Sequence, residues 1–168
     1  MRISRLRLTN AVAYRAFMLG AYEESPTAFT STLAEREPLA MSWWERRLET
    51  DIVLGAFDAR RLVGVAGLRP ERRERTDHKA LLFGMFVERT HRGRGVGRAL
   101  VDAVLDHARS MPAVRVVQLT VTDSNAAAVR LYEASGFVRF GTEPHAVQTD
   151  DGFLTKLHLW CSVSGDLT

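Results

Sequence analysis

The stretch that most constrains the fold is residues 80–121, where the apolar pattern changes period twice. Ala80–Val87 is nearly all apolar, as a central strand covered on both faces must be. Val96, Leu100, Val101, Val104, Leu105 and Ala108 then recur at helical spacing on one face of a predicted helix, Val96–Ser110, which Pro112 ends. Val114–Val121 is a second apolar strand. Such a succession calls for a sheet with helices on its faces.

The flanking sequence fits that plan. Ile3–Leu8 alternates apolar and basic residues and predicts a first strand. Asn10 is placed to cap a helix over 11–24, with Val12, Phe17, Met18 and Tyr22 as its apolar positions, and Ser25-Pro26 breaks it. A second helix over 41–49 carries Trp43, Trp44 and Leu48. Ile52–Phe57 and Leu62–Leu68 predict a hairpin joined by 58–61, followed by a charged loop over 70–78. Ala126–Ser135 predicts a helix capped by Asn125 or Ser124 and stopped by Gly136. Phe137–Gly141 and Phe153–Val163 close the chain as strands. The expected class is α/β: a mixed sheet of about seven strands with about four flanking helices, in one domain over 1–165.

Composition narrows the partners. At 46% apolar the chain is no disordered segment, and without an apolar run near twenty residues it has no predicted membrane helix. Residues 1–7 are charged but lead into no apolar signal region. Cys161 stands alone, which excludes a disulfide framework and a cysteine zinc cage. The expectation is a reduced, cytoplasmic protein with no metal and no membrane partner. The net charge is +3, from 23 basic and 20 acidic residues, a mild excess that argues against nucleic acid as the partner. All the basic residues but Lys79 and Lys156 are arginine, so where the arginines cluster matters more than their number.

They cluster at Arg92-Gly93-Arg94-Gly95-Val96-Gly97-Arg98, between the central strand and the amphipathic helix, with Arg89 and His91 beside them. Glycines let the backbone turn tightly and bring its N–H groups to a ligand. A helix begins there, so unpaired N–H groups and the positive end of the dipole point the same way, as a phosphate site requires. It is not a Walker loop, because Gly97 is followed by Arg98 and Ala99. Nor is it a dinucleotide fingerprint, because the third glycine falls on Arg98 or Leu100 in the two registers.

What fits is R-x-x-G-x-G over Arg92, Gly95 and Gly97. A second block follows, N-x-x-A-x-x-L-Y-x-x-x-G-F, at Asn125, Ala128, Leu131, Tyr132, Gly136 and Phe137. With these two blocks the chain resembles the GCN5-related N-acetyltransferases (GNAT) over about residues 80–141. The resemblance implies that Arg92, Gly93, Arg94, Gly95, Val96, Gly97 and Arg98 cradle the coenzyme A pyrophosphate. It also implies that the pantetheine arm of acetyl-CoA pairs with the strand edge at Met85, Phe86 and Val87 as an added strand. That pairing needs two parallel strands to splay, with a bulge near Gly84.

Asn125 and Tyr132 are seven residues apart, about two helical turns or 10 Å, and share a face. An extended arm could meet Asn125 partway and Tyr132 near the sulfur. In direct acyl transfer an amine attacks the thioester and the leaving sulfur takes a proton. A tyrosine, with an ordinary pKa of about 10, is protonated at neutral pH and can donate it. Tyr132 is therefore the candidate catalytic acid. For the base, some relatives carry a Glu five residues before the Asn; here that place is Thr120, which cannot act as one. Candidates include Glu23, Glu24, His145 and His158, directly or through ordered water. Cys161 reads as a structural thiol.

Acceptor-binding residues are expected in the 22–45 segment, with Tyr22, Phe29, Trp43 and Trp44, and in the 142–153 loop. The acceptor is a small-molecule or peptide amine. The alternative of another class is a non-catalytic acyl-CoA-binding module, which Thr120 permits; a weak nucleic-acid binder is a third. An exposed edge from the last strand would suit a homodimer.

Overall fold

The computed structural model describes residues 1–165. β1 (Arg2–Arg5), α1 (Ala11–Glu24), α2 (Leu33–Arg36) and α3 (Met41–Thr50) precede a meander of β2 (Ile52–Asp58), β3 (Arg61–Pro70) and β4 (Lys79–Val87). Then come α4 (Val96–Arg109), β5 (Val116–Thr122), α5 (Ala126–Ala134), β6 (Val138–Thr149) and β7 (Gly152–Ser162). The strands form one sheet in the order β1-β2-β3-β4-β5-β7-β6. Only β4 and β5 run parallel; every other neighbouring pair is antiparallel.

Two apolar clusters cover the two faces of this sheet. On the rear face α4 buries the six residues its sequence period selected, against Leu54, Ala56, Val63, Ala66 and Leu68. On the front face Tyr14 and Met18 of α1 and Trp44 and Leu48 of α3 pack on Val53, Val65 and Phe86. β2 and β3 are buried on both faces, which is why both read as unbroken apolar runs. Each buried Val, Leu, Ile, Met or Phe side chain among them contributes about 1.5–3 kcal/mol by leaving water.

The structure corrects several expectations. β1 stops at Arg5, because the chain turns at Arg7, whose N–H donates to Asn10 Oδ1 at 2.8 Å. Asn10 thus closes a 3-10 turn over Leu8–Asn10 and makes no side-chain cap on α1. On α1 the buried face is Ala11, Tyr14, Met18, Ala21 and Tyr22, whereas Val12 is 69% exposed. The helices number five among the described residues. The extra one, α2, opens on a Thr32–Glu35 capping box, a local signal of a helix start.

The largest difference lies at the end of the sheet. β6 continues to Thr149 instead of ending at Gly141, so most of the expected 142–153 loop is hairpin. Its residues are exposed without alternation, which left no period-two signal. The last strand is not an edge. Leu157, Leu159 and Cys161 bury one side of β7, which draws it in between β5 and β6, and the outer strand is β6.

Candidate active site

The site begins with a defect in the sheet. Across the β3–β4 ladder Val65 faces Phe86 and Gly67 faces Phe83, so β4 carries one extra residue between them. Gly84 sits in this bulge with φ +59°, in the left-handed region. On its other side β4 pairs with β5 only at Lys79, Ala80 and Leu81, opposite Val116, Val117 and Gln118. Beyond Leu81 the parallel strands part. Met85, Phe86 and Val87 therefore turn a main-chain edge toward open space, the splay that the family resemblance implies.

A cleft of about 740 Å³ fills the gap. One end is the start of α4. Gly93 and Gly95 hold φ of +73° and +79°, which turns the chain into the helix. Nothing lies within 4 Å of where a Cβ would stand at either position, so backbone conformation rather than crowding selects glycine there. The first amide of the helix to reach a carbonyl is that of Ala99, which donates to Gly95 at 3.0 Å. Among the described residues the amides of 93–98 make no hydrogen bond. These free donors at a dipole's positive end suit a diphosphate.

The arginines around them are less free than their sequence suggests. Arg92 donates from Nε to the Val87 carbonyl at 2.8 Å and pairs with Glu24 at 2.7 Å, its guanidinium 5.1 Å from the Phe86 ring centre. It works as a clamp that ties the end of α1 to the end of β4. Arg98 is held by both Asp102 oxygens, at 2.9 and 3.0 Å, and by the Ala134 carbonyl. Arg94 is exposed and does not line the cleft. The other residues expected to bind the cosubstrate all line the cleft: Met85, Phe86, Val87, Arg92, Gly93, Gly95, Val96, Gly97, Arg98 and Asn125.

The opposite wall is α5. Asn125 caps it, with Oδ1 accepting from Ala128 N at 3.2 Å, and its side chain borders the cleft. Tyr132 lies two turns on, buried at 7% exposure against Phe137. Its hydroxyl donates to Met85 Sδ at 3.4 Å, a weak acceptor that a better one would displace. Burial raises its pKa well above the ordinary 10, so the phenol stays protonated at neutral pH.

The roof is the start of the 22–45 segment, around the Ser25-Pro26 break. Residues 24–28 line the cleft, pinned by the buried Thr122 hydroxyl donating to the Thr27 carbonyl at 3.1 Å and by Lys156 bonding Thr30. Thr27 and Thr122 are 95 residues apart, so no local pattern signals the contact.

The base candidates separate by position. Glu23 is exposed and off the cleft. Glu24 is on it but committed to Arg92. His145 takes φ +55° and stacks on Phe153 at 4.6 Å, on the outer hairpin. His158 lies beside Thr120 across the β5–β7 ladder and is paired with Glu143 at 2.8 Å. Of the expected acceptor aromatics, Trp44 and Tyr22 are core, and Phe29 packs between Tyr22 and Phe86. The Arg36 and Arg47 guanidiniums each lie 4.5 Å from the Trp43 ring centre. Cys161 is buried, which pushes its thiol pKa up, and faces no base. Among the described residues no cluster of metal ligands occurs, and no helix is long and apolar enough to cross a membrane.

Residues 18–137 match the model of the acetyltransferase (GNAT) family. The chain is 30% identical over 150 residues to a mycothiol acetyltransferase of Geodermatophilus obscurus, covering 83% of this chain and 48% of that protein. It is 38% identical over 89 residues to the N-alpha-acetyltransferase RimI of Mycobacterium tuberculosis, covering 52% of each. It thus spans about half the length of the curated relatives it matches. The crystal structure of a GNAT-family acetyltransferase from Streptococcus pneumoniae superposes with a TM-score of 0.87 at 25% identity, over 97% of this chain and 99% of that one. That of yncA from Salmonella typhimurium, solved with acetyl-CoA, gives 0.83 at 20% identity, over 100% and 96%. With the family model spanning most of its length and a splayed sheet beside an open helix start, this chain belongs to the GNAT acetyltransferase family.

Proposed function

We propose that residues 1–165 are a single domain that transfers the acetyl group of acetyl-CoA to a primary amine, by direct attack within a ternary complex. The carrying observation is the run of unbonded amides at 93–98 opening into the same cleft as Asn125 and Tyr132. The residues fit acetyl-CoA end to end. Amides at the start of α4 take the diphosphate, each such dipole contact contributing about 0.3–1 kcal/mol. The free edge of β4 at Met85 and Phe86 offers main-chain groups to the pantetheine amides, since the Val87 carbonyl is already held by Arg92. Asn125 borders the arm, and the Tyr132 hydroxyl stands ready to protonate the leaving sulfur. Arg92 and Arg98 act as braces for the loop, and Arg94 adds only its positive field.

The relatives are named as a mycothiol acetyltransferase, an N-alpha-acetyltransferase and, from Vibrio cholerae, a spermidine N(1)-acetyltransferase. The acceptor class proposed here is a primary amine and no narrower. The cytoplasm suits a lone thiol and a coenzyme A substrate. If two copies associate through the sheet, the edge strands β1 and β6 are the ones open to pairing.

The test is incubation with acetyl-CoA and a panel of amines while following thiol release. Turnover with at least one amine is expected. Tight coenzyme A binding without turnover would instead support a non-catalytic acyl-CoA-binding module, and neither binding nor turnover would refute both.

A further inference from the structure

On the front face of the sheet, three strands lay out a small polar grid beside the cleft. β5 presents Thr120 and Thr122; β7 presents His158 opposite Thr120 and Lys156 opposite Thr122. β6 presents Glu143 opposite Lys156, one step diagonally from His158. Directly opposed residues of an antiparallel pair point to the same side. The alternate residues Leu119, Val121, Leu157 and Leu159 go into the rear core, which fixes this face as the front one. The roof segment reaches Thr122 and Lys156 through Thr27 and Thr30 and covers that row. Thr120, one step further along β5, is exposed.

We infer that His158, oriented by Glu143, is the general base that takes the proton from the acceptor amine. This rests on the acetyltransferase reading above. Thr122 borders the cleft, and Thr120 lies about 6.6 Å further along the same strand. His158 is one strand over, about 4.8 Å away. The imidazole therefore stands just outside the lining of the cleft, about one strand and two residues from Thr122 on the side away from the start of α4, where an amine approaching the thioester from the front face would pass it. Its side chain is 33% accessible, so it is neither locked in the core nor loose on the surface. The Phe140 ring meets it edge-on at 5.9 Å and limits its rotation.

The hydrogen bond assigns the tautomer. His158 Nε2–H donates to Glu143 Oε2 at 2.8 Å, which leaves the lone pair on Nδ1. In the transfer, the amine nitrogen bonds to the thioester carbon and the carbon–sulfur bond breaks. The sulfur keeps the electron pair and receives the Tyr132 proton. The ammonium proton passes to Nδ1, and the Glu143 carboxylate steadies the imidazolium. Solvent then reprotonates Tyr132 and deprotonates His158. The charged groups facing the imidazole are Glu143 from β6 and Lys156 from β7; β5 presents only Thr120 there. Glu143 is a positioning residue, since it acts through the ring.

The experiment compares the wild type with His158→Gln, His158→Ala and Glu143→Gln, using acetyl-CoA with spermidine and with a short alanine-initiated peptide. His158→Gln is expected to lower kcat about 100-fold at pH 7, with the KM for acetyl-CoA unchanged. That deficit should narrow as pH rises and solvent deprotonates the amine, and free imidazole should restore part of the His158→Ala rate. Glu143→Gln should lower kcat about ten-fold, again without moving the acetyl-CoA KM. Wild-type kcat in His158→Gln, or a loss that neither high pH nor imidazole relieves, would overturn the assignment alone. A wild type that releases thiol with no amine of the panel would overturn the acetyltransferase reading along with it.

Discussion

The two ends of the cleft are built from different materials. At the α4 end the working groups are main-chain amides of six consecutive residues, turned by two left-handed glycines. At the proposed acceptor end they are side chains from separate elements: Tyr132 on α5 and Thr122 on β5 line the cleft under the roof after α1, and His158 on β7 is proposed to act just beyond them. A backbone site is specified by where glycine stands, and tolerates any sequence that keeps the turn. A side-chain site depends on each residue and on every contact that brings distant segments together. The anion end can thus stay fixed while the acceptor end changes.

The sharpest test of that contrast is Gly95→Asp. It forces a side chain into φ +79° and adds a carboxylate among the anion-binding amides. Titration calorimetry should show acetyl-CoA affinity falling by more than about 100-fold. Gly95→Asn tolerates the same backbone without the charge and should lose about ten-fold less. Equal losses would mean that conformation, and not the anion field, governs this end.

At the other end Tyr132→Phe should lower kcat by about 100-fold while leaving acetyl-CoA affinity nearly intact. Because burial raises the Tyr132 pKa, the wild type should show no fall in kcat from its ionisation up to pH 10. A falling alkaline limb that vanishes in the phenylalanine variant would reverse this sign. A smaller effect is expected from Thr122→Val, which frees the roof at Thr27 by removing a bond that contributes about 1 kcal/mol. Steady-state kinetics should register it as an acceptor KM raised about five-fold, with a lesser change for acetyl-CoA.

The mildest effect belongs to neither end. His107, in the last turn of α4, has its pKa lowered below 6.5 by burial first and by Arg5 second. The unfolded chain therefore takes up this proton before the folded one does. Stability should be full above about pH 6.5 and should fall as pH drops toward the lowered value. His107→Gln should flatten that slope in thermal unfolding between pH 7.5 and 5.5 without altering acetyl-CoA binding.

How far the sequence could be read follows the same division. The six buried positions of α4, the glycines at its start and the apolar runs of β2 to β5 lie in short windows, so their periods and turn chemistry were legible. The free amides at 93–98 followed from a glycine-rich turn entering a helix. Arg92, Arg94 and Arg98 drew notice as a positive cluster, yet two serve as braces. Their partners Glu24 and Ala134 lie 68 and 36 residues away, where no local pattern reaches. The extent of β6 was hidden because an exposed outer strand has no buried side to set an alternation.

By itself the sequence determined the alternation of buried strand and amphipathic helix, and with it the anion-binding turn, because both are properties of consecutive residues. Only the tertiary structure decided that β7 inserts between β5 and β6, which sets His158 beside Thr120 and Glu143 within reach of His158. Strand order is chosen by burying whole faces, so a sum over distant residues decides which side chains become neighbours at the acceptor end.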